Sequence, residues 1–153
     1  VRKDLSGNIP DNIPTMLNYK THIDKGSMFN TPSTYSIYIM GLVLDWVIKT
    51  GGLKELEKIN RDKASMLYDA IDESVLFTAP AVKEDRSIMN VVFVTGKPDL
   101  DKKFVTEAKA KGLVTLNGHR SVGGLRASLY NAMPVEGVEA LVKFIQKFDK
   151  ENR

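Results

Sequence analysis

The spacing of apolar residues changes along the chain and divides it into three parts. Residues 1–30 show no regular period and contain scattered glycine and proline, so we interpret them as the tail of a larger domain that begins upstream. Residues 31–52 are apolar on nearly every helical face, which predicts a bridging helix that is buried on most sides. Residues 53–153 alternate between helical and strand-like spacing, which predicts a small α/β domain.

Capping residues and apolar spacing predict where the helices begin and end. Thr31 is suited to cap the first helix with Pro32 at its first position, and Gly51–Gly52 ends it. The charge-rich residues 54–63 are interpreted as the solvated face of the next helix. The later helices are predicted at residues 53–74, 98–111 and 135–148.

Short apolar runs between polar turns predict the strands. These runs lie at residues 75–79, 88–95, 113–117 and 125–131. Since helices separate several of these runs, we predict an α/β fold with a short, mostly antiparallel sheet covered by helices.

Composition and charge exclude several classes of protein. The 153 residues carry a net charge of +3 and no cysteine, which excludes disulfide frameworks and thiolate chemistry and fits a cytoplasmic location. Basic residues are mixed with acidic ones, so we expect no nucleic-acid partner. No apolar run approaches the roughly 20 residues that a membrane span needs. His22 and His119 have no neighbouring ligands, so we expect no metal site.

The segment GHRSVGGLRASLYN at residues 118–131 is the strongest chemical signal. It places His119, Arg120 and Arg126 around Gly123–Gly124. Glycine lets a backbone approach a ligand closely, and the planar fork of arginine matches a carboxylate in two parallel hydrogen bonds. The same residues also fit a solvated loop next to a strand, and the residues alone leave both interpretations open.

Three segments carry a resemblance to a known family. FNTPSTYSIYIMGLVLDW, RSIMNVVF and GHRSVGGLRASLYNAMPVEGVEALVKFI closely resemble the C-terminal part of phosphoserine aminotransferases. The resemblance runs over essentially the whole chain and covers about the last two-fifths of a typical member. It implies the small C-terminal domain of a fold-type I aminotransferase that uses pyridoxal 5'-phosphate and forms a homodimer.

The resemblance also implies roles for individual residues. Asn30 and Thr31 match the positions that contact the phosphate of the cofactor in the neighbouring subunit. His119 and Arg120 match the positions that hold the substrate's phosphate or distal carboxylate, and Arg126 matches the arginine that holds the α-carboxylate. The substrates implied are O-phosphoserine with 2-oxoglutarate and 3-phosphohydroxypyruvate with glutamate.

The Schiff-base lysine of the family is expected upstream of this chain. Lys3, Lys20 and Lys25 do not stand between a strand and a glycine-rich turn, which is the family's context for that lysine. We therefore expect no catalytic residue here and no activity from this chain alone. Amino-group transfer in serine biosynthesis, with pyridoxine biosynthesis as a further role in some members, is the function implied. A non-catalytic dimerisation domain and another aminotransferase of the same fold type stay open as alternatives.

Overall fold

The computed structural model describes residues 2–7, 9–10 and 12–153. Its contacts divide the chain into two units, Val1–Trp46 and Val47–Arg153. The α-helices are Tyr19–Asp24 (α1), Thr34–Lys49 (α2), Gly52–Asp72 (α3), Pro98–Ala110 (α4) and Val135–Asn152 (α5), and the strands are Asn90–Phe93 (β1) and Leu125–Ser128 (β2). No single helix in this described part is both long and apolar enough to cross a membrane; α2 and α3 meet that test only when joined across their bend.

The first unit is more ordered than the irregular pattern of residues 1–30 predicted. It contains 3-10 turns at Lys3–Ser6 and Thr15–Leu17 ahead of α1. Asn18 caps α1, since its side chain accepts a hydrogen bond from the Lys20 amide at 2.9 Å. Positions 1, 8 and 11 of the predicted tail lie outside the described residues. The predicted domain boundaries at residues 30 and 52 stay predictions.

Helix α2 begins later than the capping pattern predicted. The Ile37 amide donates to the Ser33 carbonyl at 3.1 Å, which is the first bond of the helix and makes Ser33 the N-cap. The prediction of Thr31 as the cap is therefore wrong, and Pro32 precedes the helix instead of opening it. The predicted end is confirmed, because the helix ends at Lys49 and Gly51, two residues later, adopts a left-handed φ of 106°.

The prediction that α2 is buried on most sides is wrong for this chain. Within the described structure none of its residues is buried, and Tyr35 remains 76% exposed. The apolar pattern correctly gave a helix, but within this chain its side chains lack the cover that such a pattern needs.

Helices α3, α4 and α5 confirm the periodic patterns of the second unit. The predicted apolar face of α5 packs into the core through Val138, Leu141, Ile145 and Phe148. Helix α4 ends in a Schellman motif, in which the Leu113 amide bonds the Ala108 carbonyl at 3.0 Å. Spacing predicted these helices well because tertiary burial and helical period agree along their length.

Strands β1 and β2 pair antiparallel, which confirms a short antiparallel sheet covered by helices. Val92 lies opposite Arg126 in the register, and Val91 lies opposite Ala127. Val91 and Ala127 are buried on one face with the side chains of the helices, while Arg126 stands on the other face. The sheet thereby separates the hydrophobic core from the face that carries the arginine.

Aromatic rings fill the centre of this core. The ring of Phe77 lies 5.1 Å from that of Phe104, and the rings of Phe104 and Phe148 are also 5.1 Å apart. The first of these edge-to-face pairs joins the segment before β1 to α4, and the second joins α4 to α5.

Two of the four predicted strands do not form, and each of these segments keeps only one isolated β-bridge. In the predicted strand 75–79 only Thr78 pairs, with Val94, because the Leu76 and Phe77 amides donate to the Ser74 hydroxyl instead of a ladder. The predicted strand 113–117 keeps one bridge at Asn117, since Thr115 has a left-handed φ of 61° that interrupts extended backbone.

Candidate functional site

Strand β2 places Arg126 at the centre of the candidate site. The Arg126 amide donates to the Leu116 carbonyl at 2.9 Å, which fixes the backbone at that point. Leu125 and Ala127 on either side are buried, so alternation turns the Arg126 side chain to the opposite face of the sheet. Ser128 stands on the same face and donates to the Asn90 side chain at 3.2 Å.

The guanidinium group of Arg126 has no partner among the described residues. Its side chain is half-buried, and its Nε is enclosed without a hydrogen-bond acceptor. Buried polar atoms are nearly always paired, but the Nε of Arg86 is unpaired as well, so what sets Arg126 apart is that its terminal nitrogens also meet no acceptor. An arginine in this state is suited to an anionic ligand that approaches from outside the described structure.

A glycine-rich turn closes directly before β2. The Gly118 amide donates to the Gly124 carbonyl at 2.8 Å. A Cβ atom at Gly118 would lie 1.9 Å from the Gly123 carbonyl oxygen, so no side chain fits there. Gly124 adopts a φ of 70°, and its Cβ would lie 2.7 Å from the Val94 side chain. The two glycine positions thus let the turn fold tightly over the end of the sheet.

The turn holds the ring of His119 through Ser121. The Ser121 hydroxyl lies 2.6 Å from His119 Nδ1, and the Ser121 amide donates to the same nitrogen at 3.3 Å. Because Nδ1 accepts from the amide, the neutral ring carries its proton on Nε2, which is free to donate. Arg120 is exposed and makes no ion pair with any residue that the structure describes.

The turn and β2 therefore bring His119, Arg120 and Arg126 into one local segment. Asn30 and Thr31 belong to the first unit, where both are exposed and the Asn30 side chain donates to the Thr31 carbonyl at 3.4 Å. The roles given to all five by the resemblance stay predictions.

Sequence interpretation missed two buried polar residues of α3, Asn60 and Lys63. Asn60 is 5% exposed and Lys63 is 0% exposed, although the stretch 54–63 was interpreted as solvated. A signal was present in the spacing, because Leu56, Asn60, Lys63 and Leu67 follow intervals of four, three and four along one helical face. Burial lowers the pKa of the Lys63 ammonium.

A second arginine, Arg86, has the opposite surroundings. It donates two hydrogen bonds to the Asp72 carboxylate at 2.7 and 2.8 Å and lies 4.6 Å from the centre of the Tyr68 ring. The hydrogen bonds from Arg86 are the largest cause that lowers the pKa of Asp72 to about 2. Burial raises the pKa of Tyr68, whose hydroxyl donates to the Ser87 carbonyl at 3.1 Å.

In the part of the chain that the structure describes, no three His, Asp or Glu side chains converge on a point where a metal ion fits.

Comparison with known proteins gives consistent matches. The chain is 50% identical to the phosphoserine aminotransferase of Bacillus cereus over 153 residues, which is 100% of this chain and 42% of that protein. The structure of phosphoserine aminotransferase from Bacillus circulans subsp. alkalophilus aligns with a TM-score of 0.91 and 44% identity, covering 100% of this chain and 43% of that one.

A third match is the pyridoxal-phosphate-bound phosphoserine aminotransferase of Trichomonas vaginalis. It aligns with a TM-score of 0.83 and 37% identity over 95% of this chain and 42% of its own. The chain therefore spans about two-fifths of the length of the relatives it matches. The family model of class-V aminotransferases matches residues 5–141. This match covers most of the chain and agrees with the fold, so the chain belongs to the class-V aminotransferase family.

Proposed function

We propose that this chain is the C-terminal part of a phosphoserine aminotransferase. The enzyme transfers an amino group from O-phosphoserine to 2-oxoglutarate, which yields 3-phosphohydroxypyruvate and glutamate, and it also runs in the reverse direction, towards serine. The observation that carries the proposal is the half-buried, unpartnered guanidinium of Arg126 beside the tight glycine turn. The names of the aligned relatives support the same activity.

Arg126 holds the α-carboxylate of the amino acid. Its two terminal nitrogens match the two oxygens of a carboxylate, and its backbone is fixed by the bond to Leu116. An ion pair in this partly enclosed position is stronger than one in water because few solvent dipoles screen it. Holding the carboxylate fixes the orientation of the Cα–H and Cα–N bonds of the substrate.

His119 and Arg120 hold the second anionic group, which is the phosphate of O-phosphoserine or the distal carboxylate of 2-oxoglutarate. The Nε2–H of His119 and the exposed guanidinium of Arg120 are both available as donors. A substrate without a second anion leaves these donors unpaired, and this penalty selects for dianionic or phosphorylated acids.

Pyridoxal 5'-phosphate is the proposed cofactor. When bound, it supplies the electron sink that makes the Cα–H bond of an amino acid acidic enough to break. Asn30 and Thr31 fit its phosphate, because their exposed side chains offer an amide and a hydroxyl shortly before the N-terminus of α2, where free backbone donors lie. The lysine that binds the cofactor lies outside this chain in the proposed enzyme.

The enzyme is proposed to be a cytoplasmic homodimer. The exposed apolar residues along α2, including Tyr38 and Ile48, need cover from another surface, and a second subunit is the cover that we propose. We expect sedimentation velocity of the full-length protein to give a dimer at micromolar concentration. A stable monomer under those conditions contradicts this part of the proposal.

The test is an assay with a full-length protein that contains this sequence and is loaded with pyridoxal 5'-phosphate. We expect amino transfer to 2-oxoglutarate from O-phosphoserine and little or none from unphosphorylated serine. Equal rates with the two donors favour another aminotransferase of the family. Absence of transfer from any amino acid, despite bound cofactor, favours the non-catalytic alternative and overturns the proposal.

A further inference from the structure

Helix α3 carries a buried polar pair that the proposed chemistry does not use. Asn60 and Lys63 lie three positions apart, so they stand on the same face of the helix. Both are buried, and Lys63 is among the side chains with no exposed surface. Buried polar side chains need partners within the protein, and the partners of these two lie on one turn.

Both residues bind one turn, at residues 130–133. Lys63 Nζ donates to the Tyr130 and Met133 carbonyls, each at 3.0 Å. The Asn60 side chain donates to the Asn131 side chain at 2.8 Å. The turn is itself closed by the Met133 amide, which donates to the Tyr130 carbonyl at 2.8 Å. The lysine thus joins both ends of the turn to α3.

Burying the charged side chain of Lys63 costs more free energy than burying an apolar side chain there. Among the described residues no carboxylate pairs with it, and its two acceptors are neutral carbonyls. Burial lowers its pKa, which reflects the cost of keeping the ammonium charged there. An apolar side chain of the same length would pack at lower cost, so what the lysine specifically contributes is the fixed position of two carbonyl groups.

The fixed turn directly follows the strand that carries Arg126. The last bond between the strands runs from the Leu129 amide to the Met89 carbonyl at 2.7 Å, and the turn begins at the next residue. Gly118 and the residues around it close the other end of β2. Because Arg126 has no side-chain partner of its own in the described structure, the position of its guanidinium depends on the backbone of β2.

We propose that Lys63, assisted by Asn60, is a positioning residue for Arg126: by holding the turn 130–133 against α3, it sets the register and tilt of β2 and so the place of the carboxylate-binding fork. This inference rests on the proposed function, because it gives Arg126 the substrate carboxylate as its ligand.

The test uses the full-length, cofactor-loaded enzyme and the variant Lys63→Met, which keeps the length of the side chain and removes the charge. We expect KM for glutamate to rise about tenfold and kcat to change much less, since a displaced fork weakens substrate binding. Lys58→Met is the matched control, because Lys58 is exposed on the same helix and should leave KM unchanged.

A double-mutant cycle with Arg126→Ala separates positioning from a general loss of structure. We expect Lys63→Met to have almost no further effect on KM when Arg126 is already absent, because both variants remove the same interaction. An equal rise of KM in both backgrounds, or an unchanged KM in the single variant, overturns the inference.

A variant at Asn60 covers the case in which Lys63→Met fails to fold. The Oδ1 atom of Asn60 is buried without a donor, so Asn60→Leu removes one bond to the turn without leaving a new unpaired group on α3. We expect a smaller rise in KM for glutamate in the same direction, and no rise overturns the inference. If the wild-type enzyme itself transfers no amino group, the proposed function fails, and this is seen before any variant is measured.

Discussion

Arg86 and Arg126 are both partly buried, and their terminal nitrogens have opposite surroundings. Both are half-buried, and each has an Nε without an acceptor. The fork of Arg86 is filled by Asp72 of the same domain, whereas that of Arg126 meets no acceptor among the described residues. Burial alone therefore does not separate the two arginines, whereas the presence or absence of a carboxylate from the same domain does.

The largest expected effect is a loss of activity when the side chain of Arg126 is removed. In the full-length enzyme Arg126→Ala should lower kcat/KM for O-phosphoserine by roughly tenfold to a thousandfold, as expected for a lost charge-assisted pair. Thermal unfolding should hardly change, because no described residue loses a partner. Arg126→Lys keeps the charge and loses the planar fork, so its kcat/KM should lie between those of the wild-type enzyme and Arg126→Ala. An unchanged kcat/KM removes Arg126 from the site.

Removing Arg86 should have the complementary effect, on stability. Arg86→Ala leaves Asp72 without its bidentate partner and removes the cation from the Tyr68 ring, so the free energy of unfolding should fall by about 1–3 kcal/mol. Urea denaturation followed by circular dichroism measures this. The control is Arg61→Ala, whose exposed pair with Glu57 should contribute less than about 0.5 kcal/mol. Equal losses in the two variants contradict the structural role of Arg86.

Lowering the pH should reduce the difference in the free energy of unfolding between the wild-type protein and Arg86→Ala. The pKa of Asp72 is about 2 in the folded protein, against 3.8 for the free side chain. The stabilisation of the fold by the ionised carboxylate is therefore complete above pH 3.8 and is lost as the pH falls through about 2. After allowance for solvent screening at this partly exposed pair, the effect amounts to about 1 kcal/mol. Unfolding titrations between these values measure it, and a pH-independent difference assigns the stabilisation to packing alone.

The helices of the second unit were predictable because local spacing and tertiary burial agree there. Helices α3, α4 and α5 each show a repeated apolar face together with a proline or glycine at an end. The strands were less predictable, because in residues 75–79 the hydroxyl of Ser74 takes amides that the apolar pattern assigns to a ladder. Local side-chain competition of this kind has no signature in hydropathy.

The residues of the candidate site also include some that the sequence predicts and some that it does not. His119, Arg120 and Arg126 were found from a glycine-rich motif, whose geometry the turn from Gly118 to Gly124 now explains. The charge of Lys63 predicts a solvated side chain, and the acceptors that permit its burial lie on a turn distant in sequence. The described structure leaves the side chains of α2 exposed, so the apolar pattern predicts the helix but does not show what covers it.

The close approach at Gly118 limits how this protein can be re-engineered. Any substitution at that position brings a Cβ atom into the Gly123 carbonyl, so a library that varies it would consist almost entirely of misfolded turns. The side chain of Val122 is exposed, and the loop can be diversified there without disturbing the contact between Ser121 and His119. Attempts to change the second anion of the proposed enzyme should therefore vary Val122 and keep Ser121 and the glycine base constant.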